Sequence, residues 1–280
     1  MSIKMKNSLF KFLIIIISGS WILACEEVPE FELDDTLPVV EAFLYMGDEV
    51  DDIKISEVVP FESSVENNEI DGLDIEILWK GESYALVNAD SGGGKYYYPG
   101  DDLKILSGET YEISFLYEGE MITSSTTVPP APDNLELSTD ALELPQLVDI
   151  FDIRDLAQSG NSNVNVEWSN PNGDYYYLVI ENIESDPEPI DVNDILSFNF
   201  EFTSVPTQND FFTLIPFVHF TQFGTHRIIL YRVNEEYALL YETIQQDSRD
   251  LNEPYTNIDN GVGIFSGFAS DTVYLEINMQ

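Results

Sequence analysis

Nucleophiles, proton carriers and metal ligands are scarce in this sequence, and that scarcity limits the chemistry it can perform. Among 280 residues there are two histidines, His219 and His226, and one cysteine, Cys25. A metal centre built on His and Cys needs more ligands than these. His219 sits in the apolar stretch Pro216-Phe217-Val218-His219-Phe220, where a packed or edge-strand histidine is expected. No G-x-S-x-G elbow offers an activated serine, and no G-x-x-x-x-G-K-[ST] loop offers a phosphate cradle. The triple glycine Gly92-Gly93-Gly94 leads into Lys95 but opens no helix, so it reads as a hairpin turn.

Carboxylates are the one plentiful reactive group, with 52 Asp and Glu. Glycoside hydrolysis needs only two of them, about 5–9 Å apart across a cleft. A carboxylate-based glycan hydrolase is therefore the enzymatic alternative, although no pair can be chosen from spacing. Ser185-Asp186-Pro187-Glu188 and Asp191-Val192-Asn193-Asp194 offer oxygen ligands for weak calcium binding, but neither has EF-hand spacing. Solvated acidic loops are the preferred reading. No catalytic residue, metal ligand set or cofactor is assigned, and a non-enzyme is expected.

Three aromatic clusters could contact a ligand: Tyr96-Tyr97-Tyr98, Tyr175-Tyr176-Tyr177 and Phe211-Phe212. Consecutive strand side chains alternate between faces, so a tyrosine triplet turns at least one ring to each side. An outward ring could stack on a sugar or dock a partner. Tyr96, Tyr97 and Tyr98 are the candidate contacts for a glycan or peptide. An aromatic-rich core is the competing reading.

The elements that must carry these residues are strands. Apolar residues alternate in Leu73-Ile75-Ile77-Trp79, Tyr111-Ile113-Phe115-Tyr117, Val164-Val166-Trp168, Phe198-Phe200-Phe202 and Val273-Leu275-Ile277. Turn residues at 90–94, 107–109 and 170–173 separate them. The pattern predicts an all-β chain of two β-sandwich modules of immunoglobulin or fibronectin type. Val128-Pro129-Pro130-Ala131-Pro132-Asp133 reads as an extended spacer. The expected division is thus an N-terminal sandwich at 37–128, a linker at 129–133, and a C-terminal β domain at 134–280. One short helix near 234–246 is expected, capped by Asn234, with Tyr237, Leu240, Tyr241 and Ile244 on one stripe.

The N-terminus reads as an address. Lys4, Lys6 and Lys11 precede the apolar run Phe12 to Ile17, which is far short of the roughly 20 residues a membrane span needs. Ile22-Leu23-Ala24-Cys25 looks like a lipobox, which makes 1–24 a signal peptide and Cys25 an acylated (palmitate-type) anchor. An ordinary signal peptide or an anchoring helix are the competing readings. An acidic tether, 25–36, would join the lipid to a first strand at Pro38 to Tyr45.

Charge excludes some partners. The chain holds 11 Lys+Arg against 52 Asp+Glu, a net charge of −41. Removing the signal takes three lysines and no acids, leaving 8 − 52 = −44. So acidic a surface repels nucleic acid and anionic headgroups. Hydrophobic residues make up 44%, enough to build cores and to argue against disorder.

The stretch Pro254-Tyr255-Thr256-Asn257-Ile258-Asp259-Asn260-Gly261-Val262-Gly263-Ile264-Phe265-Ser266-Gly267 carries a resemblance. It is similar to the closing N-I-x-N-G-x-G-I-F-G motif of the domain-of-unknown-function family 4249, lipoproteins of Bacteroidota, departing from it at Phe265-Ser266-Gly267. Cys25-Glu26-Glu27, Val39-Val40-Glu41-Ala42 and Asn170-Pro171-Asn172-Gly173 before the Tyr175 triplet agree with that family, as does a helix ahead of the motif. The resemblance implies an outer-membrane lipoprotein, often encoded beside TonB-dependent receptors of the SusC type, with no catalytic residue to carry over. It implies a structural part for Asn257, Asn260, Gly261, Gly263, Ile264 and Phe265. Glu26 and Glu27 resemble acidic signals for display on the cell surface. A structural or adhesion module is the remaining alternative.

Overall fold

Alternation decides where strands form. Val40, Ala42 and Leu44 are buried and their neighbours are not, and Tyr111, Ile113 and Phe115 repeat the pattern. The computed structural model describes residues 37–58, 68–147, 163–191, 202–216, 218–244 and 255–280. The signal, Cys25, the tether, Asn193-Asp194 and the Phe198–Phe200 part of one expected strand lie outside the described residues.

Seventeen strands are described. They are β1 (Pro38–Tyr45), β2 (Asp52–Glu57), β3 (Asn68–Glu69), β4 (Glu76–Trp79), β5 (Glu82–Ala85), β6 (Val87–Asn88), β7 (Lys95–Tyr97), β8 (Thr110–Tyr117) and β9 (Glu120–Thr127) in the first half. The second half holds β10 (Asp133–Leu137), β11 (Ala141–Leu144), β12 (Val164–Ser169), β13 (Tyr175–Asn182), β14 (Phe202–Thr203), β15 (Phe211–Leu214), β16 (Gly224–Val233) and β17 (Val262–Met279). The helix α1 (Glu235–Ile244) follows β16 directly. The Asn234 carbonyl accepts the Tyr237 and Ala238 amides at 3.2 and 3.4 Å, so the helix starts where the sequence places it.

The chain is all-β and sandwich-like. A sheet of ten strands runs β14-β13-β16-β17-β1-β2-β7-β6, with β11 beside β17 and β3 beside β2. A four-stranded sheet, β5-β4-β8-β9, and a three-stranded sheet, β10-β12-β15, complete it. Two cores follow the two halves of the sequence. One gathers Val40, Ile55, Ile77, Tyr111 and Ile113, and the other Val166, Leu178, Ile228, Leu230 and Leu275.

The sheet does not stop where the cores divide. β17 pairs in parallel with β1 from the first half and antiparallel with β16 from the second. Its 18 residues, at ~3.3 Å each, span about 60 Å, long enough to serve both halves. Phe265 on β17 belongs to the first core, while Leu275 and Ile277 belong to the second. The stretch expected as a spacer is packed: Val128, Pro129 and Pro132 are buried, and β10 begins at Asp133. A Cβ on Gly267 would lie 2.9 Å from the Val128 Cα, so only glycine lets this segment lie so close to β17. One unit therefore runs from Asp35 to Gln280.

Register puts both cores on one face of the large sheet. Ala42 lies opposite Phe265 and Ile228 opposite Val273, and these β17 positions are an even number of residues apart. The other face carries a separate aromatic cluster of Tyr177 and Phe268 with Phe43, Tyr45, Tyr175, Tyr231 and Tyr237, the last from α1. Tyr177 stacks on Tyr231 at 4.9 Å and 13°, and Tyr237 meets Phe268 edge-on at 4.9 Å.

Candidate functional site

Two grooves lie beside the first turn of α1 and share Thr127, Asn234 and Glu235. The first, about 410 Å³, runs between the Val128–Pro130 segment, the Gly173–Tyr175 turn and the end of β16. The Asn170 side chain ties the turn together. Its Nδ2 donates to Asp174 O and Gln208 O at 2.9 and 2.8 Å, and its Oδ1 accepts the Asp174 amide at 2.8 Å. This places the Asp174 carboxylate against Arg232 Nη2. The guanidinium is mostly covered and lies over the Tyr176 ring, 5.9 Å from its centroid.

The second groove, about 420 Å³, is walled by Ser125–Thr127, Asn234–Glu236, Tyr255 and Asn257. The Asn234 amide donates to Thr126 Oγ1, Thr127 O and Glu236 Oε1 at 3.0, 2.9 and 3.0 Å. Thr126 Oγ1 also donates to Glu236 Oε1 at 3.1 Å and accepts the Gly267 amide at 3.0 Å. The polar groups of both grooves thus bind one another. They offer hydrogen-bonding walls rather than a nucleophile held by a base.

The buried titratable groups have structural causes. His219 Nδ1 accepts the Ile215 amide at 2.8 Å, and the ring stands edge-on to Phe202 and Phe212. His226 packs edge-on to Phe220, with Nδ1 3.1 Å from Gly224 O. Burial pushes both imidazoles below the ordinary histidine value, which keeps them neutral. Burial likewise pushes Tyr45, Tyr177, Tyr231 and Tyr237 upward. The Thr225 amide and hydroxyl hold Glu184 below the usual carboxylate range. Among the described residues no three His, Cys, Asp or Glu side chains converge as a metal site requires. None of the described helices is long and apolar enough to cross a membrane.

The closing motif is where distant parts of the chain meet. Asn257 Nδ2 donates to Phe265 O at 2.8 Å and Asn257 Oδ1 accepts the Phe265 amide at 2.9 Å, so one carboxamide replaces a neighbouring strand. Asp259 and Thr123 exchange backbone hydrogen bonds of 2.8 and 3.4 Å. Ser124 Oγ donates to Asn257 O at 2.7 Å, and Asn260 Nδ2 donates to Met121 O at 2.9 Å. The segment therefore fastens the free edge of β9 to β17. A family model described as a domain of unknown function (DUF4249) matches residues 26–273.

The chain belongs to the DUF4249 family.

No curated protein matches the sequence. Among solved structures, a chain of a cytokine receptor complex (crystal form 1A) is similar over 85% of this chain and 95% of its own, at 10% identity and a TM-score of 0.25. So distant a likeness bears on neither fold detail nor function.

In this DUF4249 chain the motif residues take structural places. Gly263 has φ of +109°, and a Cβ there would sit 2.1 Å from Val40 O, inside the β1–β17 ladder. Gly261 lets the Pro38 carbonyl approach, since its Cβ would lie 3.1 Å from that oxygen. Ile264 and Phe265 are buried, and Asn260 turns the chain with φ of +60°. The tyrosines Tyr96, Tyr97 and Tyr98 do not form a shared platform. Tyr96 is buried, with its hydroxyl donating to Ile70 O at 2.8 Å and accepting the Leu73 amide at 3.1 Å. Tyr98 stands edge-on to Tyr84 and donates to Asp102 at 2.6 Å. That bond and burial push its hydroxyl up to about 12. Tyr97 alone is exposed. Tyr176 and Tyr177 are buried on opposite faces, in different clusters. The closing-motif resemblance gave Asn257 a structural part without naming Phe265 as its partner, and sequence reading missed the Asp174–Arg232 pair, whose members lie 58 residues apart.

Proposed function

We propose that this DUF4249 chain is a non-enzymatic lipoprotein, anchored through Cys25 at the outer membrane and displayed on the cell surface. It acts there as an accessory or ligand-binding partner of a TonB-dependent receptor of the SusC type. The observation that carries the reading is the Lys-rich start, short apolar run and Ile22-Leu23-Ala24-Cys25 ending of the N-terminus. Support for binding over chemistry comes from the grooves beside α1. There Arg232 is neutralised by Asp174 and the Asn234 amide is engaged by Thr126, Thr127 and Glu236. Walls of this kind suit recognition of a polar ligand or a neighbouring protein. No cofactor belongs to this reading.

The test has two parts. Cells fed an alkyne-bearing fatty acid should label the natural chain and not the Cys25→Ser variant, which should leave the membrane fraction. A tagged chain extracted gently from outer membranes should bring down a TonB-dependent receptor in stoichiometric amount. An unlabelled natural chain sinks the anchoring. A labelled chain that comes down alone sinks the receptor partnership, and glycan binding and hydrolysis by the soluble domain are then measured.

A further inference from the structure

β17 has a gap along one edge. β16 covers the opposite edge from Phe268 to Ile277. On the near edge, β1 pairs with Val262 to Phe268 and β11 pairs with Glu276 to Met279, both in parallel. β16 reaches both junctions, so β1 and β11 must lie on the same side of β17, end to end, and among the described residues no strand pairs with β17 between them, although β10 packs near it. The space opens where the Met46 amide donates to Phe268 O at 2.8 Å, and closes where the Glu276 amide donates to Asp140 O at 2.9 Å.

Strand alternation aims the backbone of Ser270, Thr272 and Tyr274 into this space, because Phe268 and Glu276 face it and these residues share their parity. Among the described residues, the group that reaches this backbone is the Asp271 carboxylate, which accepts the Thr272 amide at 2.8 Å. Ser270, Asp271 and Tyr274 are exposed. Apart from the Thr272 amide, these mid-strand donors and acceptors are unpaired among the described residues, and such a row is a template for another strand.

The geometry points to this notch as a docking site for an extended, cationic segment of a partner protein, added as a short strand between β1 and β11. Backbone groups repeating at about 6.7 Å, two residues apart, match another extended backbone and little else. The eight steps from Phe268 to Glu276 span about 26 Å, and with the ends taken by Met46 and Asp140 about five residues fit. Charge supplies the sign. Asp271 lies within the gap, and exposed Asp48 and Asp140 stand at its ends. Nearby Arg227, the register partner of Tyr274, is ion-paired with Glu181 and leaves that balance acidic. On the aromatic face Tyr45, packed on Tyr231 and Phe268, and Tyr274 border the gap, and Tyr274, 55% exposed, offers its ring to an incoming lysine or arginine. This goes beyond the function proposed above and holds wherever the chain resides.

Residue-resolved hydrogen exchange on the full chain in detergent tests it. In the free chain the Ser270 and Tyr274 amides should exchange at least about a hundredfold faster than those of Asp271 and Val273, which face β16. Equal protection would mean the edge is already closed, and would overturn the proposal. The probe is a heptapeptide alternating lysine with valine. At millimolar concentration it should slow Ser270 and Tyr274 by at least about tenfold. A glutamate–valine peptide and a lysine–proline peptide should not. In Asp271→Lys the protection should vanish while thermal stability stays near that of the natural chain. Three results would each overturn it: no protection by the lysine peptide, equal protection by the glutamate peptide, or protection undiminished in Asp271→Lys. The last two would leave Asp271 as a charge that merely blunts an open edge.

Discussion

Replacing Asn257 with alanine isolates the carboxamide that stands in for a strand. Its two bonds to Phe265, 2.8 and 2.9 Å, satisfy both backbone groups of a residue that is fully buried. A buried donor or acceptor left without a partner costs about 1–3 kcal/mol, so two cost about 2–6 kcal/mol. Asn257 also walls the second groove, through which water can reach the vacated space, and this favours the lower part of the range, about 2–3 kcal/mol. For a chain of this size each kcal/mol lowers Tm by about 2–4 °C, giving a fall of roughly 4–12 °C. Asn257→Asp separates the two bonds. Its carboxylate still accepts the Phe265 amide but sets a second oxygen against Phe265 O. It should be less stable than the alanine variant at neutral pH. The same repulsion raises the folded-state pKa of the new carboxyl, so the deficit should shrink as pH falls and the group protonates. Urea unfolding gives the free energies, and exchange at the Phe265 amide shows whether the loss is local. An alanine variant within about 0.5 kcal/mol of the natural chain, or an aspartate variant equal to it at pH 7, would refute the strand-substitute reasoning.

Gly263→Ala should be among the most damaging single changes. Strain at φ of +109° costs about 1–3 kcal/mol, and a Cβ 2.1 Å from Val40 O forces the β1–β17 ladder apart. A chain that unfolds with a loss under about 1 kcal/mol by urea titration would contradict this. Acidity should weaken the fold through His219 and His226. Both bind protons less tightly folded than unfolded, so no loss is expected well above the ordinary value of 6.5, and stability falls as pH drops through it toward the lowered folded values. The difference in unfolding free energy between the natural chain and His226→Gln should therefore change between pH 8 and pH 5, and a constant difference would argue against it. Salt should stabilise a chain of net charge −41, because raising ionic strength from about 0.01 to 1 M shortens the screening length from about 30 to 3 Å. A Tm that stays flat or falls with sodium chloride would show that self-repulsion is not limiting.

Strand identity was legible because burial at every second residue leaves a local mark. Ile75 and Ile77, Tyr111 to Phe115, Val164 to Trp168 and Leu275 to Ile277 all pack as their alternation predicts. The helix start was legible for the same local reason, since Asn234 followed by Glu235 and Glu236 suits a first turn. The site was less so. Tyr96, Tyr97 and Tyr98 alternate by local rule, but which side faces the core depends on the sheet packed against β7.

The sequence alone thus determined a chain of alternating strands, its acidity, one short helix, the resemblance carried by its closing glycines, and an N-terminal cysteine motif. These depend on composition and on neighbours a few residues apart. Tertiary structure alone decided that one 18-residue strand joins both halves, that Asn257 completes its edge, and that Arg232 meets Asp174. It also decided that β1 and β11 stop short of each other along β17. The reason is that strand pairing is a contact between residues far apart in the chain. Alternation marks which face of a strand is buried and carries no record of which strand lies beside it.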